Sequence, residues 1–143
     1  MIEPTLLAWC AGIVDGEGTI HLKQATYGTW IVTLQVSMTH APTIRRFHEI
    51  LKHGKIHVKL ARKAHWKDEL SFLAHGHSAV YCIKSIQPYL VTKAEQAKLA
   101  FEYHEKCSNN YGHGNPIPTE IQALRILICE EMHELNKRGR KEG

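Results

Sequence analysis

The spacing of apolar residues predicts a helix followed by a β-hairpin at the start of the chain. From Pro4 onward, apolar side chains recur every three or four positions, which is typical of a helix with one buried face. The pattern stops at Asp15-Gly16-Glu17-Gly18, where two glycines disfavour further helix. Apolar and polar residues then alternate over 20–23 and 31–37, on either side of a Tyr27-Gly28-Thr29 turn. This alternation predicts two antiparallel strands with one apolar face and one polar face.

A second helix and a second pair of strands are predicted in the middle of the chain. Pro42 suits the first turn of a helix, and Gly54 ends it. The apolar stripe of this helix consists of Ile44, Phe47 and Leu51. Strands follow at Lys55–Leu60 and Glu69–His75, with a basic loop between them. In the first of these strands we expect three inward side chains: Ile56, Val58 and Leu60.

Helices are predicted for most of the remaining sequence. One covers Ala79–Ile86. Two more begin at capping boxes, Thr92–Glu95 and Thr119–Gln122, in which a threonine is followed three residues later by Glu or Gln. A loop rich in Gly, Asn and Pro, Ser108–Pro118, separates these two helices.

The order of these elements predicts an α+β fold. It is α-β-β-α-β-β-α plus a C-terminal helix, and no internal repeat is present. We therefore expect a four-stranded antiparallel sheet with helices on one face. A chain of 143 residues accommodates one such core, so we expect a single domain over 1–143 with a basic tail from about Lys137.

Positive charge is concentrated in the middle of the chain. The net charge is only +4, but between His40 and Lys67 eight basic residues accompany a single acid, Glu49. Eight of the eleven histidines lie between His21 and His77. Such a block suits a polyanion such as nucleic acid, where each neutralised phosphate releases counterions. A merely solvated basic face has the same composition.

The sequence predicts an intracellular protein without a membrane span. It contains no run of about 20 apolar residues, and its first residues lack the pattern of a secretion signal. The four cysteines are scattered, and we expect buried, reduced thiols rather than a disulfide framework or zinc site. Organelle, bacterium and phage all stay open as the context.

Two charged residues occupy unfavourable ends of the predicted helices. Glu17 lies just past the carbonyl end of the first helix, and Lys93 lies at the amide end of a later one. Each placement costs roughly 0.3–1 kcal/mol at an exposed position. A divalent cation near Glu17 and an anion near Lys93 would make each placement favourable. The alternative is that both residues are ordinary surface charges.

One face of the first helix carries small side chains, at Ala8, Ala11 and Gly12. Glycine inside a helix costs about 1 kcal/mol relative to alanine, and it is useful where another backbone comes close. This face is either packed within the protomer or forms a seam between two helices of a dimer.

The segment Cys10-Ala11-Gly12-Ile13-Val14-Asp15-Gly16-Glu17-Gly18 resembles the LAGLIDADG motif of homing endonucleases. Two further stretches agree: Leu34–Ser37 resembles the second strand of that family, and Pro88–Ala97 resembles its segment with the active-site lysine. The resemblance covers roughly Leu6 to Phe101, and it implies a saddle-like sheet.

The resemblance implies a homodimer, because single-motif members of the family pair their motif helices. The seam would consist of Ala8, Ala11 and Gly12, with Asp15 in a structural role that caps the partner helix or the turn. Pairing would bring two Glu17 carboxylates together, and like charges so close require neutralisation.

The implied chemistry is Mg²⁺-dependent hydrolysis of both strands of a long, nearly palindromic duplex DNA site. Glu17 and the Gly16 carbonyl would hold two or three ions per dimer site, with Ca²⁺ as a non-cleaving substitute. Lys93 would polarise water or stabilise charge on the phosphorane. One departure is that Met38 stands where the family often has a polar residue at the end of the second strand, with Thr39 next and Gln35 nearby as substitutes.

Sequence recognition would come from the polar face of the sheet, because a two-stranded ribbon fits the major groove. The side chains that share the outward alternation are His21, Lys23, Thr33, Gln35, Ser37, His57 and Lys59. The alternation in the fourth strand leaves Ser71, Leu73 and His75 as weaker candidates. Three loop residues suit phosphate contacts, which position without reading sequence: Arg62, Lys63 and Lys67.

Other functions stay open. Met38 motivates a non-cleaving DNA-binding regulator or an RNA-binding maturase on the same scaffold, with intron RNA as partner. A His-rich metal-binding protein is a further alternative, although His75-Gly76-His77 does not have the spacing of a zinc site.

Overall fold

The computed structural model describes residues 1–26, 29–108 and 116–142, without the side chains of Thr26 and of 138–142. Its elements are α1 (Pro4–Glu17), β1 (Gly18–Thr26), β2 (Thr29–Met38), α2 (Ala41–Leu51), β3 (Lys55–Lys59), β4 (Glu69–His75), α3 (His77–Ile86), α4 (Ala94–Cys107) and α5 (Thr119–Glu142). A 3₁₀ turn at Gln87–Tyr89 joins α3 to α4. The predicted α+β class and the order of elements through β4 are confirmed, and among the described residues three helices, α3, α4 and α5, follow β4. The Tyr27-Gly28 turn, residues 109–115 of the predicted loop and the side chains of the basic tail beyond Lys137 lie outside the described residues.

The four strands form one antiparallel sheet in the order β1-β2-β4-β3. The hairpin β1–β2 matches the prediction, whereas the central pairing of β2 with β4 joins strands more than 30 residues apart. Ser37 pairs with Ser71 in this register, and Leu34 pairs with Ala74. Inner-face side chains such as Ile20, Leu34 and Phe72 are fully buried under the helices. The opposite face carries polar residues, among them Lys23, Gln35 and Ser37.

The helix α1 runs directly into β1 without a loop. Glu17 is the last helical residue rather than a residue past the end, and Gly18 begins the strand in an extended conformation. A Cβ atom on Gly18 would lie 2.8 Å from the Cα atom of Val14, so this junction requires glycine at that position. A Cβ atom on Gly16, which lies inside the helix, would meet nothing within 4 Å. The glycine that the junction needs is therefore Gly18.

The second helix ends earlier than predicted. Lys52 follows it with φ 62°, in the left-handed region, and its N–H bonds to the carbonyl of His48. Gly54 has φ 86°, and a Cβ atom there would lie 2.7 Å from the ring of Phe72. Gly54 therefore serves the close approach of the chain to β4, while Lys52 supplies the turn that stops the helix.

The strand β3 contradicts the predicted inward set. Ile56 packs against the core, but Val58 is 57% exposed and Leu60, beyond the end of the strand, is 72% exposed. The reason is position: β3 is an edge strand, and the helical layer that covers Ile56 does not reach the two later side chains. The alternation of apolar and polar residues predicts which face of the sheet a side chain is on. It does not predict how far the helices extend over that face.

The cysteines are free thiols, and Cys10, Cys82 and Cys107 are buried, as predicted. Burial raises the pKa of Cys10 and of Cys82 from 9.0 to about 12, and that of Cys129 to about 11. The folded state therefore prefers the protonated thiols. Their stabilising contribution is complete below pH 9 and is lost as pH rises from 9 toward 12.

We expect the native thiols of Cys10 and Cys82 to resist alkylation. At pH 8 a pKa of about 12 instead of 9.0 lowers the thiolate fraction about a thousandfold, and the thiolate is the reactive form. Iodoacetamide labelling read by mass spectrometry should modify these two residues only after urea unfolding. Labelling at equal rates in native and unfolded protein would contradict the burial.

Within the described parts of the chain, no helix combines the length and apolar character needed to cross a membrane.

Candidate active site and nucleic-acid surface

Asp15 ties the end of α1 to the segment that precedes α4. Its carboxylate accepts hydrogen bonds from the backbone N–H groups of Val91 (2.9 Å) and Lys93 (3.0 Å) and from the Thr92 hydroxyl (3.0 Å). The backbone oxygen of Asp15 also lies 3.4 Å from Lys93 Nζ. The carboxylate of Asp15 thus positions Lys93 beside the α1–β1 junction. Asp15 itself precedes Glu17 by two residues.

The predicted capping box at Thr92 is not formed. α4 begins at Ala94 with Lys93 as its N-cap residue and without a side-chain cap from its own sequence. The Thr92 hydroxyl donates to Asp15 instead, at the side chain and the backbone oxygen. Asp15 takes the place of the cap from a distance of 78 residues, and its negative charge suits the positive end of the helix.

We expect Asp15→Asn to destabilise the fold by about 1–3 kcal/mol, because an amide group cannot accept three hydrogen bonds from N–H and O–H donors. The measurement is urea unfolding followed by circular dichroism. Asp68→Asn is the matched control, since Asp68 accepts one bond, from Ala61 N–H, at an exposed site. Equal losses in the two variants would contradict a special role for Asp15.

Glu17 is exposed at the end of α1, and none of the hydrogen bonds or ion pairs among the described residues engages it. No group of three or more His, Cys, Asp or Glu side chains in the described part of the chain could hold a metal ion. Mg²⁺ takes one or two carboxylates and completes its shell with phosphate oxygens and water. An unengaged carboxylate with the neighbouring Gly16 carbonyl fits this requirement. A second copy of the chain would contribute a second carboxylate and a second carbonyl.

Met38 packs against the core, because it lies on the inner face opposite Leu70. The outward positions beside it are Ser37 and the exposed Thr39. The Ser37 and Ser71 hydroxyls lie 2.7 Å apart, and Gln35 Nε2 donates to Ser37 at 3.4 Å. The outward end of β2 is therefore polar, although the position counted from sequence is apolar.

Most of the residues predicted to contact DNA lie on the outward face. Lys23, His57 and Lys59 are exposed, while His21, Gln35 and Ser37 are half-buried. Thr33 is the exception at 1% exposure, because His75 on the neighbouring strand covers it: Thr33 Oγ1 and His75 Nδ1 lie 3.2 Å apart. His75 presents the accessible polar surface at this register position, so it replaces Thr33 as the candidate contact.

His21 has a buried Nδ1 atom without a hydrogen-bond partner among the described residues. Burial lowers its pKa, and the nearby charges of Lys23 and His75 lower it further. The lowered pKa favours the neutral ring, which lines a hollow of about 660 Å³ together with Thr19, Gln35 and Asn136. A neutral imidazole offers one donor and one acceptor, which suits base edges better than phosphates.

The β3–β4 loop carries the three predicted phosphate contacts, Arg62, Lys63 and Lys67, and all three are exposed. Asp68 Oδ1 closes the base of this loop by accepting from Ala61 N–H at 2.8 Å. Trp66, which sequence reasoning did not select, stands beside Lys63, whose Nζ lies 4.9 Å from the ring centroid.

The predicted dimer residues divide into two groups. Ala11 is fully buried in the core of the protomer, so it is unavailable to a partner. Asp15 is engaged within its own chain, as described above. Ala8 and Gly12 are exposed, and a Cβ atom added to Gly12 would meet nothing within 4 Å. The exposed small-residue face therefore runs through Ala8, Gly12 and Gly16, not through Ala11.

The sequence pattern indicated Ser71 and His75 only as weaker candidates and did not point to Trp66. The two β4 residues became clear only through the β2–β4 register, which places them opposite Ser37 and Thr33. Trp66 could have been found from its basic neighbours, because an aromatic residue amid Lys and Arg is typical of nucleic-acid surfaces.

The sequence matches no protein-family model and no curated protein. Among solved structures, the homing endonuclease I-CvuI bound to its target with calcium superposes with a TM-score of 0.66 and 22% identity, over 90% of this chain and 80% of that chain. A second I-CvuI structure, with magnesium and uncleaved DNA, gives 0.65 and 23% over the same shares. The archaeal intron-encoded I-Vdi141I bound to DNA gives 0.69 and 13%, over 90% and 82%. The chain has the LAGLIDADG fold, and the resemblance found in the sequence is confirmed at that level.

Proposed function

We propose that the protein is a homodimeric DNA endonuclease that cuts both strands of a pseudo-palindromic duplex with a divalent metal, preferably Mg²⁺. The observation that carries the proposal is the α1–β1 junction, where an exposed, unengaged Glu17 stands two residues from the carboxylate that positions Lys93. The structural neighbours bound to DNA support it.

The role proposed for each residue is supported by its position. Glu17 and the Gly16 carbonyl would hold the metal, which when bound supplies Lewis-acid stabilisation of charge on phosphate oxygens. Lys93 would place its ammonium group against the developing negative charge, and Asp15 would keep that lysine in position. Asp15 is a positioning residue in this scheme, because its carboxylate is occupied by Val91, Thr92 and Lys93.

The outward sheet face would read the DNA. Lys23 suits guanine, and Gln35 suits adenine, since their donors and acceptors match the major-groove edges of those bases. His21, His57 and His75 add three imidazole rings to the same face. Lys59 and the basic loop would contact phosphates and so set register and orientation.

A dimer accounts for two features of the protomer. Gly12 and Gly16 both face open space, although glycine costs helix stability at interior positions. A second α1 packed along this face would need that space. It would also complete the metal site, because Glu17 is the one carboxylate at this junction that the described part of each chain leaves unengaged.

The test is selection from a randomised duplex library in Ca²⁺, followed by transfer of the recovered DNA to Mg²⁺, with wild type and Glu17→Gln side by side. We expect a near-palindromic consensus that only the wild type cuts. A consensus that is bound and never cut would indicate a DNA-binding regulator. Failure to enrich any duplex would direct attention to intron RNA and a maturase role.

A further inference from the structure

The loop between β3 and β4 presents an aromatic surface that duplex readout by the sheet does not use. Trp66 is 52% exposed, and Leu60 is 72% exposed beside it. They line a hollow of about 300 Å³ with Lys59, Arg62 and Lys67. Contiguous exposed apolar surface with a polar rim marks interaction sites in soluble proteins.

The loop geometry keeps the indole accessible. A turn fixes the main chain at Trp66, whose backbone N–H donates to the carbonyl of Lys63 at 3.0 Å. The ring of His65 meets it edge-on, with centroids 6.1 Å apart and an interplanar angle of 80°. The Lys63 ammonium lies over the indole at 4.9 Å. An exposed cation–π contact is weak compared with base–aromatic stacking, so a base can displace this lysine.

We propose that this loop binds an unpaired nucleobase, stacked on Trp66, with the flanking phosphates held by Arg62, Lys63 and Lys67. The hollow is large enough, because a cavity of roughly 150 Å³ already holds a benzene ring. Lysine displaced from the indole would remain within the loop as a phosphate partner. The inference rests on the proposed function only in taking nucleic acid as the partner, and it adds single-stranded ends or loops to the duplex as ligands.

The charge around the ring favours a nucleic-acid strand over an apolar protein segment. Three cations line the hollow, Lys59, Arg62 and Lys67, against one acid, Glu69. Lys63 adds a fourth positive charge beside the indole. The other nearby acid, Asp68, is occupied in closing the loop. In a nucleic-acid strand, each planar base lies between two phosphates. The base can stack on the flat indole while the phosphates meet the cations on either side of it.

The test measures binding of single strands to the full-length protein in EDTA, so that cleavage does not enter. The probes are a deoxythymidine oligomer of about 12 nucleotides, within the range that such sites cover, and an abasic oligomer of equal length. Trp66→Ala should weaken binding of the base-containing strand at least about fivefold and leave the abasic strand unchanged. Trp66→Phe should restore most of the loss.

Arg62→Ala is the matched control, because a lost phosphate contact weakens both strands alike and lowers the salt dependence. Oligouridine in a parallel titration distinguishes RNA from DNA as the source of the base, and binding of either supports the site. Equal losses on both probes in Trp66→Ala, or no loss, would overturn the proposal. That result would leave duplex cleavage intact as a hypothesis, and a failure of the Glu17 test would leave this one intact.

Discussion

Glu17→Gln is expected to bind its duplex with near wild-type affinity and to lose cleavage by at least about a thousandfold. The substitution keeps the shape of the side chain and removes one negative charge from each subunit of the proposed dimer. Loss of a single charge-stabilising group already costs about 10²–10³ in rate. Folding should not suffer, because Glu17 is exposed at the end of α1, and the negative charge there opposes the helix dipole.

The measurement is single-turnover cleavage of the selected duplex in Mg²⁺, with binding followed by gel shift in Ca²⁺. Glu3→Gln is the matched control, since Glu3 is an exposed carboxylate at the opposite end of the same helix. Calorimetric titration of Ca²⁺ into the protein–DNA complex adds a readout that is independent of rate, and the Gln variant should bind fewer ions. Cleavage by Glu17→Gln at the wild-type rate would remove this carboxylate from the metal site.

Local patterns in the sequence predicted the elements well, because helix and strand periods and their breakers are short-range properties. The α1 periodicity, the β1–β2 hairpin and the start of α5 at Thr119 all follow from neighbouring residues. Errors occurred where a distant residue decides. Thr92 could donate within its own turn, but Asp15, far away in sequence, offers it a carboxylate.

The candidate site was less predictable for the same reason. Thr33 has the outward alternation of its neighbours, yet β4 places His75 over it. Ala11 and Gly12 are adjacent small residues, and composition does not say which one turns toward the core; the structure buries Ala11 and exposes Gly12. Met38 was counted onto the polar end of β2, whereas strand parity turns it inward. Each case required the long-range register or packing of the sheet.

Gly12→Leu should give a folded chain that fails to dimerise and therefore fails to cut both strands. In the isolated protomer the leucine has room, because nothing lies within 4 Å of a Cβ atom at Gly12, and leucine favours helix. In a close helix–helix seam each added side chain would cost about 1–3 kcal/mol. Two-fold symmetry counts this cost twice, so the dimer dissociation constant should rise at least about 30-fold.

Sedimentation equilibrium measures the dissociation constant, and thermal unfolding by circular dichroism reports the fold. Lys98→Leu on α4 is the matched control, because it adds the same apolar side chain at an exposed helical position away from the seam. Gly12→Ala gives an intermediate case and keeps the test informative if leucine prevents folding. A Gly12→Leu protein that dimerises like the control would exclude this face of α1 as the seam. Two closely packed helices have no room for a pair of leucines, so they would have to move apart and lose contacts.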